Sequence, residues 1–510
     1  MSKPANSYGQ ILKSSSIIGG AQGINYLIAM VRTKLVAVLL GPSGVGLIGL
    51  YVSATNLIGT IAGLGFDSSG VREVAEADGS GDAERVARTV KTLRRACWVT
   101  GILGWILCAA LSYPLSIFMF GSGERAWAIA ILGATLFFGL ISGGQSALLQ
   151  GTRRIGDIAR LNVFGAIAGT IVAVGLFAWL GEKGIVPALI TTAAINLGFS
   201  WWLARRVQMV CIPQTWVETL GNSKRLIHIG VAFMYGALLA AIVGLVIRSL
   251  IVRKLGFDAN GIYQAAWGIS GMFAGFILNA MGTDFYPRLT AVARDNEHVN
   301  RLVNEQTEIG ILLALPGLLA TLAFAPWIMH LFYSAKFLPS AELLPWFVIG
   351  VLGQVILFPI GFIPRAKGAV RWIYLGQTEG NILHLVLCLV LIPLYGILGT
   401  GYAYVIHMVV HGMVVFGIAS HLSRFVWNQH ARKLLFSTAF LVIAGCASRN
   451  IPNAPLSFGT GAVLVTIGCI KSLRGIASRL GPNHRIVAMA CKAPFGSLVC
   501  GLDVPPESQI

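Results

Sequence analysis

The stretch YLIAMVRTKLVAVLLGPSGVGLIGLY, residues 26–51, decides the fold. Two apolar runs flank a Gly-Pro-Ser-Gly turn, and each, with its neighbours, is long enough to cross a hydrocarbon core of about 30 Å. Yet Arg32 and Lys34 sit inside the first run. A charged side chain at the bilayer centre costs about 2.5–3.5 kcal/mol on insertion scales, so such a residue faces something other than lipid.

Composition extends that reading to the whole chain. Of 510 residues, 55% are hydrophobic and 11% charged, against roughly 25% charged in soluble domains. Apolar runs recur near 14–40, 43–66, 96–120, 126–150, 161–181, 184–204, 226–252, 258–284, 306–333, 341–364, 372–396 and 399–422. The class is an all-α polytopic membrane protein. A β-barrel alternation is absent, and the polar Met1–Lys13 segment does not read as a signal peptide.

The net charge of +18 suggests nucleic acid until its distribution is followed. The loops on the N-terminal side of the membrane hold 24 Lys and Arg, from Lys3 to Lys433. The opposite loops hold five: Arg125, Lys183, Arg253, Lys254 and Lys336. That asymmetry is the positive-inside rule, which puts the N-terminus in the cytoplasm and removes the case for a nucleic-acid partner. Eight cysteines form no CxxC pair and no ligand spacing, so packing explains them and no metal site is expected.

The opening stretch has a second copy. LLGPSGVGLIGLY (39–51) matches KLGFDANGIYQAA (254–266) in its Leu-Gly, its later Gly and its Tyr. Each follows a run with an arginine eight or nine residues before the first glycine, Arg32 before Gly41 and Arg248 before Gly256. Each precedes an acid and an arginine, Asp67 with Arg72 and Asp284 with Arg288. YPLSIFMFG (113–121) matches APWIMHLFY (325–333) at nearly the same offset. Six spans per copy give both copies one orientation, so the expected architecture is two six-helix lobes related by a pseudo-two-fold axis along the membrane normal. The expected division is 1–215, 216–423 and a 424–510 extension. In that extension the apolar runs 434–447 and 455–470 are short for spans, and the tail from Gly475 is expected to lack order.

Several polar groups lie at membrane depth. Arg32 and Arg248 sit about 13 and 12 Å from their turn glycines, and Asn25 is seven residues before Arg32, on nearly the same face. Facing a central cavity is one reading of these arginines; pairing with backbone carbonyls or an acid between lobes is the other. Ser53, Asn56 and Thr60 share a face of the second span, and Tyr374, Gln377, Asn381 and His384 a face of the eleventh. Glu379, Asp67 and Asp284 are candidates for proton or sodium coupling. His407 and His411 sit one turn apart without a third metal ligand, so bonds across helices are the expectation. The charged segment 67–95 reads as a surface helix on anionic headgroups.

KLVAVLLGPSGVGLIGLY (34–51), LGFDSSGVREVAE (64–76) and AKGAVRWIYLGQTEGNILHLVLCLVLIPLYGILGTGYAY (366–404) resemble the Wzx-type O-antigen and lipid-linked-oligosaccharide flippases. The resemblance covers about residues 10–425 and places the chain in the multidrug/oligosaccharidyl-lipid/polysaccharide exporter superfamily. It implies two lobes around a cavity in a bacterial inner membrane. The implied substrate is an undecaprenyl-pyrophosphate-linked oligosaccharide, an O-antigen or exopolysaccharide unit, moved from the cytoplasmic to the periplasmic leaflet. Polysaccharide polymerase or assembly proteins are the implied partners, besides membrane lipids. Guanidinium groups suit pyrophosphate oxygens, which favours Arg32, Arg248 and Asn25 as the binding set. A multidrug exporter, the alternative, would place acids deep in the lobes. A membrane-embedded polymerase or glycosyltransferase would need a large catalytic loop, and none is present; the chain does not read as an enzyme.

Overall fold

The computed structural model describes residues 5–449 and 451–480, with side chains from residue 20 onward except at 21, at 454, at 480 and at scattered positions within 225–284. Within the described residues every regular element is helical. α1 (Ala5–Gly63) bends at Gly41 and is followed by α2 (Phe66–Gly79), α3 (Ala83–Ala110) and α4 (Ser112–Phe120). Three long helices come next: α5 (Ala126–Gly151), α6 (Ile155–Leu180) and α7 (Ile185–Ala204). α8 (Trp216–Ala291) then bends at Gly256 and leads into α9 (Asn296–Ala323), α10 (Ala325–Phe332) and α11 (Ser340–Ile360). The short α12 (Ile363–Ala366) precedes α13 (Val370–Tyr395), α14 (Leu398–Ser423), α15 (Gln429–Ser448) and α16 (Ala454–Leu480).

The chain runs through one series of elements twice, and the backbone shows it. Gly41 and Gly256 leave the helix at matching angles, φ 65° and ψ −170° against φ 89° and ψ 176°. Left-handed φ recurs at Arg153 and Gly368, and again at Gly181 and Gly396, each pair 215 positions apart. Only glycine takes such angles without Cβ strain, which is why three of those four sites with Gly41 and Gly256 carry it. Asp82 and Asp295 each cap a 28-residue helix. The carboxylates accept from Glu84 N and Arg85 N at 2.9 and 3.1 Å, and from Glu297 N and His298 N at 3.0 and 3.1 Å. The segment trailing each copy is tied to its long helix in the same register: Lys91 Nζ donates to Ile212 O, and Asn304 Nδ2 to Val426 O.

Among the described residues eleven segments are long and apolar enough to cross a membrane. Three of them, Gln22–Gly63, Ile155–Ala204 and Met234–Met272, pass through a glycine turn and, at 42, 50 and 39 residues, are long enough for two crossings each. α15 and α16 belong to that set, at 20 and 27 residues. The short runs of the sequence are thus the apolar cores of full spans. Residues 475–480 complete the last turn of α16 instead of starting a tail, and 481–510 lie outside the described residues. The 67–95 segment is likewise two helices, broken at 80–82, and α3 continues from the charged stretch into the span.

Two compact units emerge, Met1–Gln264 with Leu331–Phe337, and Ala265–His330 with Leu338–Ile510. This boundary counts packing, whereas the division at 215/216 counts copies, and the first half of α8 packs within the first unit. There the two bent turns meet. A Cβ on Gly46 would strike the Phe257 carbonyl, one on Gly261 the Pro42 carbonyl, and Asn260 Nδ2 donates to Gly46 O at 2.7 Å. Small residues permit that approach, which matters because lipid offers helices no hydrophobic drive to associate. In the second unit α9 is central, packed by α11, α15 and α16. Glu308 on α9 is 5% exposed and accepts from Arg479 Nε at 3.0 Å and from its Nη2.

Candidate functional site

Each unit contains a polar cavity among its apolar helices. The first, of about 980 Å³, lies between the second half of α1, α3, α5 and the first half of α8. Its wall is rich in small residues, Gly49, Gly59, Gly139 and Gly143 among them, with Asn56, Thr100, Gln264 and Arg248 supplying polarity. Arg248 reaches it from α8. Its Nη1 donates to Gly244 O at 2.9 Å, its guanidinium lies over the Tyr263 ring at 5.6 Å, and its buried Nε finds no partner. One N–H is therefore spent on its own helix, in line with the carbonyl-pairing alternative, while most of the fork stays available. The Gln264 Nε2 is also buried without a partner.

Asn56 and Asp67 line this same cavity, and both are exposed. Asp67 belongs to the first turn of α2, where a carboxylate is favoured by the helix dipole. Arg32 and Asn25 do not line it. Aligning the bends at Gly41 and Gly256 pairs Arg32 with Ile247, not with Arg248. One residue on a helix is about 100° of rotation, so the two arginines of the repeat point differently. The Asn25 Oδ1 is buried without a hydrogen bond. Asp284 lies outside the residues whose side chains are described.

The second cavity, of about 380 Å³, lies between α11, α13 and α14. It gathers Gln377, Asn381 and His384 from α13 as their spacing foretold, and leaves Tyr374 outside. His407 and His411 join them from α14, and Gln354 from α11. Glu379 does not line the cavity; its Oε2 sits 2.7 Å from His411 Nδ1. Sequence reasoning placed the two histidines and the glutamate without pairing them, because the partners are 32 residues apart on different helices.

Gln264 was not singled out, although it stands in the repeat that defines the bend. Glu308 with Arg479, and Asp157 with its arginines, were also passed over. Asp157 is 5% exposed, with Arg154 Nε at 2.8 Å and Arg160 Nη1 at 3.1 Å. For Glu308 and Asp157 an acid within or beside an apolar run was the available signal.

Residues 11–292 match a family model described as polysaccharide biosynthesis protein. The lipid III flippase of Escherichia coli (strain K12) is 23% identical over 400 residues, 76% of this chain and 92% of that protein, and that of Shigella flexneri gives the same figures. Among solved structures, the inward closed conformation of the lipid II flippase MurJ superposes with a TM-score of 0.68 at 13% identity, covering 90% of this chain and 99% of that one. An inward-facing multidrug resistance MATE family transporter gives 0.63 at 15% identity, covering 78% and 96%. The fold is that of these transporters.

Proposed function

Because the chain belongs to the polysaccharide biosynthesis protein family, we propose that it is a flippase for a lipid-linked oligosaccharide in a bacterial inner membrane. The substrate is an undecaprenyl-pyrophosphate-linked O-antigen or exopolysaccharide unit, carried from the cytoplasmic to the periplasmic leaflet. The loop charges support a cytoplasmic N-terminus.

One observation carries the reading: a guanidinium, Arg248, on a roomy polar cavity within apolar helices, with its Nε unpartnered. A pyrophosphate presents several anionic oxygens that a guanidinium can hold in two parallel bonds. The polar amides and hydroxyls around it, Asn56, Gln264 and Thr100, suit sugar hydroxyls. Arg32 and Asn25 remain in the proposed set as a second anion contact elsewhere along the route.

Arg248→Ala is expected to cut glycan export roughly 10- to 100-fold at normal membrane abundance, the worth of a charge-assisted bond. Arg248→Lys is expected to recover only part, since an ammonium keeps the charge without the fork. Export and binding unchanged in a stable Arg248→Ala protein would end this reading. One observation favours a second reading, export of an organic cation: Asp67 offers an exposed carboxylate to the same cavity. Loss of drug resistance in Asp67→Asn, with glycan export intact, would select it.

A further inference from the structure

The second cavity carries more than hydrogen-bonding capacity. Its histidines form a column: the His411 and His407 rings lie 5.3 Å apart and 17° from parallel, and His407 and His384 5.1 Å apart at 21°. Glu379 closes one end through His411. His407 is 7% exposed, lines the cavity, and its Nδ1 has no hydrogen-bond partner. Gly380 makes room for the column, since a Cβ there would stand 3.0 Å from the His411 ring.

The first copy of the repeat supplies a control within the same molecule. Residue by residue, 215 positions back, Glu379 corresponds to Phe164, Gly380 to Gly165, His384 to Gly169, His407 to Thr192 and His411 to Asn196. The register is firm. A Cβ on Gly184 would strike the Leu176 carbonyl, as one on Gly399 would strike the Leu391 carbonyl, again 215 positions on. In the first copy no ionisable group stands at these positions: Gly169 abuts the Thr192 methyl, and Gly165 the Asn196 side chain, whose Nδ2 donates to Thr192 O at 3.1 Å. In the second, one carboxylate and three imidazoles replace them. Packing does not require that exchange.

We propose that Glu379 and His411, with His407 and His384 stacked behind them, form a proton-binding site that loads and releases one proton in each transport cycle. This rests on the flippase reading above and names its driving ion. Loading places one proton between carboxylate and imidazole, turning a pair of charge −1 into a neutral one, and release reverses it. Neutral assemblies cross or line a membrane interior far more cheaply than charged ones. The stacked rings restrict the load, because a second imidazolium about 5 Å away is disfavoured by like charge.

The donor set favours a proton over sodium. Hard cations take about six oxygen ligands, and here a single carboxylate faces ring nitrogens. Among the described residues no three His, Cys, Asp or Glu side chains are placed to share a metal ion. The other ionisable groups around the column are Tyr404 on α14, whose hydroxyl donates to Gln354 Oε1 of α11 at 3.3 Å, and Arg365 on α12, held to Gly361 O at 2.7 Å. His421, further along α14, stands against Trp372 at 5.2 Å.

The test uses the full chain in proteoliposomes with a fluorescent undecaprenyl-pyrophosphate N-acetylhexosamine as probe. An imposed pH gradient is expected to accelerate flipping by wild type and a sodium gradient to leave it unchanged. Glu379→Gln and His411→Gln are expected to lose the pH-driven part roughly tenfold, a usual size for coupling between sites, while gradient-free exchange continues. Exchange absent in wild type would instead sink the flippase reading. Independently, 15N-histidine NMR in nanodiscs is expected to show a protonation change at the His411 ring that Glu379→Gln alters. Gln can still accept a bond from His411, which keeps the fold testable, and His407→Gln serves as the second variant. Variants that keep full pH-driven flipping, sodium-driven flipping, or a His411 ring that does not titrate would each overturn the proposal.

Discussion

The helix pairs α6–α7 and α13–α14 share a backbone and differ in purpose. Both begin after a left-handed residue, turn at a left-handed glycine, and pass a glycine against a carbonyl at the same register. In the first pair the corresponding positions are Phe164, Gly165, Gly169, Thr192 and Asn196, and the two glycines bring the helices together. In the second, imidazoles stand beside a carboxylate. Both copies keep glycine where φ is left-handed, at Gly181 and Gly396, and where a Cβ would meet backbone, at Gly184 and Gly399. Duplication released the side chains between them, where either packing or chemistry satisfies the space.

The largest expected effect concerns what closes each copy. Arg479→Ala would leave Glu308 buried and unpaired, at a cost of about 3 kcal/mol, the low end for a broken buried pair because Arg479 is itself partly exposed. Arg95, which the aligned caps Asp82 and Asp295 place at the register of Glu308 on α3, meets neutral partners, Thr215 O, Thr219 Oγ1 and the Trp216 ring. Its alanine variant should cost about 1 kcal/mol. Thermal unfolding in detergent measures both, and equal losses would show that the two closures are energetically alike.

A smaller effect is expected from crossing the copies. Gly169→His drives a ring into a position where even a Cβ stands 2.9 Å from the Thr192 methyl, an overpacking of about 1–3 kcal/mol. His384→Gly, the reverse exchange, empties space toward an existing cavity and should destabilise less. If Gly169→His proves the milder change, the first pair is not the packed one.

The smallest expected effect separates the two caps. Asp295, unlike Asp82, also holds a histidine, His298 Nδ1 at 2.6 Å. Bonds from the His298 backbone and ring hold the Asp295 carboxyl below the usual carboxylate range. A depressed folded-state pKa contributes stability above the unfolded value, and that contribution fades as pH falls through the folded one. Asp295→Asn should therefore lower the melting temperature slightly at neutral pH, with the difference fading as pH falls through the folded-state pKa. A difference that grows on acidification would contradict the assignment.

The sequence by itself determined what depends on local chemistry and on counting. Hydropathy and loop charge gave the spans, because a residue's cost in lipid is paid wherever its neighbours fold. The Leu-Gly repeats located both bends, because a left-handed backbone is a property of one residue. The caps formed by Asp82 and Asp295, and the break at 80–82, belong instead to what the structure shows. The last two spans look short because their ends are polar; in the structure Asn428 caps α15, and both helices pack on α9. Tertiary structure alone decided which polar groups meet. Arg248 reaches the cavity and Arg32 does not, since a one-residue slip in the repeat turns a side chain by about 100°. Glu379 meets His411, and Glu308 meets Arg479, across 32 and 171 residues of chain. No periodicity encodes such meetings, because they are set by how helices pack and not by how any one of them is written.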